Sequence, residues 1–201
     1  MLFVTEMPKE AKKKIFYTAL ILFTSKGFKH TSVLDIVEQA RISKTTFYQH
    51  FSSKENLMEQ LFAELFAEMV EEVRLEINKE KRTAYKAYVG IRRYIEICFT
   101  DMKVANLMLI ESVGVSKEVE QVRSEAHRSF AQLMLQTVQG LLPKTVSETE
   151  LRIVSQAMIG AINEVVVQNY YKVRENPLNI DELARLLNRI VIGAFVHLAN
   201  E

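Results

Sequence analysis

Cysteine is almost absent from this 201-residue chain, where Cys98 stands alone. A single thiol cannot close an internal disulfide and leaves no cysteine cluster for zinc, which suits a reducing cytosol. Glycine and proline are scarce too, with six and three residues. Strand runs bounded by turn clusters are missing, so the pattern predicts an all-α protein. No apolar run reaches the roughly 18 residues of a membrane span. The opening stretch, Met1 to Pro8, is too short and too polar for a secretory signal. P-loop, HExxH and nucleophile-elbow motifs are all lacking, and the four histidines show no metal-ligand spacing. The expectation is a cytoplasmic protein that is not an enzyme and carries no cofactor, metal or membrane contact.

What the chain does have is apolar content, 48%, enough for one or two domains with real cores. Its net charge of +1 hides an asymmetry. Residues 1–55 hold nine Lys and Arg against five Asp and Glu; the remainder holds 17 against 20. A basic N-terminal quarter suits a polyanion-binding module, because phosphate neutralisation supplies most non-specific DNA affinity. The excess is small enough that ordinary solvated charge accounts for it equally well.

Helical periodicity begins near Pro8, with Ile15, Ala19, Leu22 and Phe23 on one face and Gly27 at the C-terminal end. Ser32 with Asp35 three residues on has capping-box spacing, and the second helix should end near Ala40. A turn of about three residues, Arg41-Ile42-Ser43, leads to a third helix from Lys44 to about His50. Ser52-Ser53 then caps a long fourth helix whose apolar series reads Leu57, Leu61, Leu65, Met69, Val73 and Ile77. This helix should join two domains, 1–55 and 56–201. Further helices are predicted at roughly 83–100, 103–113, 116–141, 147–173 and 179–199. The breaks fall at Thr100-Asp101, Gly114, Pro143-Lys144 and Asn176-Pro177.

Two helices joined by a three-residue turn have the geometry of a DNA-reading helix-turn-helix. The second helix, after Ser43, reads Lys44-Thr45-Thr46-Phe47-Tyr48-Gln49-His50 and carries no acid. Lys44 and Gln49 can reach base edges, and Thr45 can touch a thymine methyl. Thr46, Tyr48 and His50 can donate to phosphate oxygens, and Phe47 and Phe51 should face inward against Ile36 and Phe23. Lys54, at the start of a helix, suits a phosphate.

Over residues 11–62 the chain resembles the TetR family. The resemblance rests on Gly27-Phe28, Thr31-Ser32-Val33, Asp35-Ile36, Ile42-Ser43-Lys44-Thr45-Thr46-Phe47-Tyr48 and Phe51-Ser52-Ser53-Lys54-Glu55-Asn56-Leu57. It implies an all-α, two-domain subunit, a homodimer built through the last two helices, and release of operator DNA on ligand binding. By motif match, Ser32, Lys44, Thr45, Thr46, Tyr48, His50 and Lys54 occupy the family's DNA-facing positions. One residue departs from the pattern. The family often has Gly in the turn where this chain has Arg41, so the turn is either strained or rebuilt. Arg41 either touches a phosphate or is simply solvated.

The C-terminal region offers a candidate ligand pocket. Tyr94, Cys98, Met108, His127, Phe130 and Met134 have the softness expected around an apolar or amphipathic effector. The same residues also suit a plain helical core. Asn163 and Glu164 interrupt an apolar run and fit either pocket polar groups or an interface. The last two helices carry apolar residues on more than one face, including Leu151, Val154, Met158, Leu186, Ile190 and Phe195, which favours a four-helix dimer bundle. The leading reading is a repressor that leaves a pseudo-palindromic operator when a small effector binds. The alternative is a DNA-binding protein of this architecture controlled by protein partners without an effector.

Overall fold

Capping chemistry sets the helix boundaries in the computed structural model, which describes residues 4–100, 102–142, 146–170 and 179–199. Helix α1 spans Ala11–Ser25 and starts three residues beyond Pro8, because the first helical carbonyl to be used is that of Glu10, accepting from Lys14 N–H. It ends before Gly27, whose φ of +88° is open to glycine without strain. Helix α2 spans Val33–Ala40 and opens with the expected capping box. Ser32 Oγ accepts from Asp35 N–H at 3.1 Å while Asp35 Oδ2 accepts from Ser32 N–H at 2.7 Å. Helix α3 spans Lys44–His50, capped by Ser43 Oγ accepting from Thr46 N–H at 3.0 Å. Helix α4 spans Lys54–Lys79, with Ser53 Oγ accepting from Asn56 N–H.

Helix α5 covers Thr83–Thr100 and α6 covers Met102–Asn106, continued by a π-helical turn over Leu107–Glu111. Helix α7 covers Lys117–Val138 and ends in a short 3₁₀ turn; α8 covers Glu148–Tyr170 and α9 Ile180–Ala199. All regular structure among the described residues is helical. Their boundaries fall within a few residues of those read from periodicity. The breaks expected at Asp101, Pro143-Lys144 and Asn176-Pro177 lie outside the described residues.

The chain packs as two units, residues 1–68 with 101–124 and residues 69–100 with 125–201. In the first, α1, α2 and α3 close over Ile15, Phe16, Phe23, Ile36, Phe47 and Phe51, all essentially buried. Phe51 stacks at tilted angles on Phe16 and Phe47, with centroids 5.3 and 5.8 Å away. Helix α6 and the π turn pack on α1 within this unit. In the second, α5, α8 and α9 bury Ile95, Ile162, Leu187, Val191 and Phe195. The α4 series behaves as its four-residue spacing predicts: Leu57, Leu61 and Leu65 are buried in the first unit, and Met69, Val73 and Ile77 in the second.

Candidate nucleic-acid interface and internal cavity

The turn between α2 and α3 is built on the backbone of Arg41. Its φ of 53° and ψ of 54° place it in the left-handed region, and it is the single non-glycine residue with positive φ among the described residues. Arg41 N–H bonds Glu38 O, and Ile42 N–H bonds Val37 O at 3.0 Å. These are the paired bonds of a Schellman ending, which satisfies two orphan carbonyls of α2. The turn therefore keeps the conformation glycine would supply and tolerates Arg in it, so it is strained rather than rebuilt.

That ending aims α3 outward. Phe47 is fully buried and pins the helix, while Lys44, Thr45, Tyr48, Gln49 and His50 are exposed. Tyr48 is 56% exposed with its ring edge-on to Phe47 at 5.2 Å, an orientation held by the core rather than by the tyrosine itself. Thr46 is half-buried, and its hydroxyl lies 2.9 Å from Ser43 Oγ. Ser32 is exposed, but its hydroxyl already donates to Asp35 Oδ2 at 2.7 Å. The Ser32 hydrogen bonds, with Lys26 2.9 Å away, hold the Asp35 carboxyl well below its usual range.

Lys54 has a role inside the fold. Its Nζ donates to Phe28 O and Thr31 O, both at 2.8 Å, and lies 4.2 Å above the Phe28 ring. Partial burial lowers its pKa, opposed by Glu55 and Asp35. Glu111 Oε2, at the end of the π turn, accepts from Phe28 N–H at 2.9 Å. The segment from Phe28 to Thr31, which leads into α2, is thus held from both sides by charged side chains of the same unit. Glu111 escaped the sequence reading because no local pattern announces a partner 83 residues away.

Within the second unit a narrow apolar cavity lies among α4, α5, α7, α8 and α9. It leaves about 50 Å³ open to the centre of a water-sized sphere and is lined by Val73, Ile77, Ala87, Gly90, Ile91, Tyr94, Phe130, Leu133, Met134, Thr137, Ile159, Ile162, Asn163 and Val191. Of the residues proposed from sequence, Tyr94, Phe130 and Met134 line it. Cys98 is buried behind the wall, His127 is exposed, and Met108 belongs to the other unit. Tyr94 packs edge-on to Phe130 at 5.2 Å and donates to Asn163 Oδ1 at 2.6 Å. Asn163 Nδ2 in turn lies 3.5 Å from His127 Nε2. Burial pushes the Tyr94 hydroxyl far up, with Cys98 adding to it, and pushes the Cys98 thiol up to about 12. Both stay neutral over the physiological range.

Gly90 lies where α5 passes the Ile77 side chain of α4. A Cβ there would sit 2.9 Å from Ile77 Cδ1. This close approach, the apolar α4 residues and Val191 were absent from the sequence reading of the pocket, since each looks like ordinary core. Among the described residues no cluster of three or more His, Cys, Asp or Glu could hold a metal, and no helix is long and apolar enough to cross a membrane.

Comparison with known proteins bears on the helix-turn-helix and on the fold. Residues 15–61 match the family described as "Bacterial regulatory proteins, tetR family". The HTH-type transcriptional regulator YuxN of Bacillus subtilis is 50% identical over 50 residues, which are 25% of this chain and 17% of YuxN. The biofilm operon icaADBC HTH-type negative transcriptional regulator IcaR of Staphylococcus aureus is 30% identical over 84 residues, 42% of this chain and 45% of IcaR. The matches thus span less than half of these relatives. Among solved structures, the fatty acid degradation regulator FadR of Bacillus halodurans superposes with a TM-score of 0.79 at 18% identity, covering 94% of this chain and 97% of FadR. FadR of Bacillus subtilis, solved in complex with stearoyl-CoA, gives 0.77 at 18% identity over 90% and 97%. These likenesses establish a common fold along nearly the whole chain. Residues 15–61 thus carry the helix-turn-helix of the tetR family of bacterial regulatory proteins, set in a helical fold shared with FadR along nearly the whole chain.

Proposed function

We propose that the protein is a dimeric DNA-binding repressor that grips a pseudo-palindromic operator through α3 and releases it when an apolar or amphipathic effector enters the α4–α5–α7–α8–α9 cavity. The observation that carries the DNA reading is α3 itself: an acid-free, hydrogen-bonding outer face fixed on a buried Phe47 and oriented by a Schellman turn. In this reading Lys44 and Gln49 face base edges and Thr45 a thymine methyl, while Thr46, Tyr48, His50 and Ser32 serve the backbone. Lys54 acts mainly by holding the turn before α2, with two of its three protons committed to carbonyls.

Dimerisation is supported by apolar surface on the last two helices. Leu186 and Ile190 on α9 are 46% and 50% exposed and lie four residues apart, and Ile153 on α8 is 56% exposed. Beyond the backbone of their own helices and their chain neighbours, Gly160 and Gly193 have no atom within 4 Å of where a Cβ would stand, leaving room for a second copy's helices. Effector control is supported by the cavity, whose apolar wall with a few polar groups is the usual composition of a small-molecule site. Tyr94, Phe130 and Met134 are the proposed contacts on the wall, and His127 and Cys98 act on it through Asn163 and Tyr94. Met108 lies in the other unit and is left outside the site. An acyl chain is one ligand of this class, as FadR of Bacillus subtilis illustrates for itself. The cavity weighs against control by protein partners alone, since a filled core would serve that purpose better.

The test is selection of a binding sequence from random duplex DNA, followed by anisotropy titration on it. A two-fold-symmetric site bound by two chains supports the proposal. Enrichment of no sequence, or binding by one chain to an asymmetric site, refutes it.

A further inference from the structure

Among the described residues the wall of the cavity contains no charge. Its polar groups are Tyr94, Thr137 and Asn163, and everything else facing inward is aliphatic, aromatic or thioether. Two of the three have their hydrogens committed: Tyr94 to Asn163 Oδ1 and Thr137 Oγ1 to Leu133 O at 2.7 Å. Asn163 Nδ2 retains only a long 3.5 Å approach to His127 Nε2. The cavity therefore offers an incoming molecule one good donor and no counter-ion. An ionised carboxylate moved into such surroundings loses its hydration and gains nothing of comparable strength, so it enters only by taking up a proton.

Resting on the reading of this cavity as an effector site, we propose that it selects an uncharged ligand: an apolar chain or ring bearing one hydrogen-bond acceptor, such as a ketone, ester or thioester carbonyl, placed against the Asn163 amide. The matching carboxylate is turned away. Where an amphiphile carries a charged group, that group stays outside the wall and only its neutral part enters.

The titratable groups at the site are few. Helix α5 brings Tyr94 and, behind it, Cys98, both held neutral by burial. Helix α7 brings His127 by way of Asn163. Helices α4, α8 and α9 contribute no ionisable side chain to the wall. The ketone has no titrating group, so a pH effect seen with the acid and not with the ketone reports on the ligand rather than the protein.

The probes are 2-decanone and decanoate, matched in length, competing with the neutral dye Nile red on the full chain, with calorimetry as a direct check. A carboxylic acid of pKa about 4.5 is neutral in roughly one molecule per thousand at pH 7.5. If only that form enters, decanoate binds ~1,000-fold more weakly than 2-decanone, and its apparent Kd rises ~30-fold from pH 7.0 to 8.5 while that of the ketone stays flat. Asn163→Leu should weaken 2-decanone about tenfold; an unchanged affinity would remove the amide from the site. Decanoate binding as tightly as the ketone, or independently of pH, overturns the selection for neutral ligands while leaving the effector site standing. Failure of Nile red and both probes to bind overturns the site itself and this inference with it.

Discussion

Replacing Arg41 by glycine should stabilise the protein, although it deletes an entire side chain. The backbone at Arg41 sits at φ 53° and ψ 54°, where an L side chain places its Cβ against the following carbonyl at a cost of about 1–2 kcal/mol. Glycine escapes that cost but surrenders roughly 0.5–1 kcal/mol more backbone freedom on folding. The balance is a gain of about 0.5–1 kcal/mol, or ~1–4 °C in Tm for a chain of this size. Helicity followed at 222 nm, with a urea series to confirm an unchanged m-value, is the assay. Arg41→Ala separates backbone from charge. Lys9 and Lys14 line the same shallow groove as Arg41, so relief of like-charge repulsion would also raise stability. Alanine removes that repulsion but keeps the strained φ, and should give at most a few tenths of a kcal/mol. Arg41→Asn, tolerant of the left-handed region, should fall between the two. If alanine stabilises as much as glycine, the strain argument is wrong and repulsion is the cause. If glycine destabilises, the Arg41 side chain makes a contact that outweighs its backbone.

Phe47→Ala should cost about 3–5 kcal/mol, because it opens a cavity at the junction of α1, α2 and α3, and should abolish DNA binding along with the helix-turn-helix; retention of sequence-specific binding would contradict the anchoring role. Lys44→Ala should relax preference at one operator position by about 1–3 kcal/mol, whereas Tyr48→Ala should weaken binding to all sequences alike; an anisotropy panel of single-base operator variants distinguishes them. Glu111→Ala should leave Phe28 N–H without its partner and speed amide exchange at that position, and unchanged protection there would show the bond to be dispensable. The depressed Asp35 carboxyl contributes stability that is present above the ordinary aspartate range and lost as pH falls through its lowered folded value. Asp35→Asn should therefore make the unfolding midpoint of wild type and variant converge in strong acid.

The helix-turn-helix was readable because its information is local. Ser32 with Asp35, Ser43 with Thr46 and Ser53 with Asn56 each place a capping hydroxyl three residues from the amide it serves, and each bond forms. The inward set Phe23, Ile36, Phe47 and Phe51 follows from helical spacing alone and is buried as expected. Lys54 shows the limit of this kind of reading. Its place at a helix start suggests an anion, and its ammonium also bonds two carbonyls in the segment before α2. Those acceptors lie 26 and 23 residues back along the chain, and local spacing does not reveal them.

The cavity was hard to read for a different reason. Soft and aromatic residues suit a pocket by type, and type predicts only that a residue is apolar enough for a wall. Tyr94, Phe130 and Met134 reach the space; Cys98, one turn beyond Tyr94 on the same helix, points into solid packing. Whether a helix face meets a void or a neighbour depends on how far apart its partners stand, and a residue such as Gly90 says nothing of that by itself. A Cβ at Gly90 would meet the tip of Ile77 at 2.9 Å, so one missing methyl group leaves that side chain its place along one wall. The polar group at the far side, Asn163, was visible as an interruption in the apolar run Met158 to Val167. Its meaning came only from the tyrosine 69 residues earlier whose hydroxyl it accepts. A ligand site in a helical domain is thus a property of the separations between helices. The most informative residues for it are the smallest and the most out of place, not those that resemble a ligand's preferred surroundings.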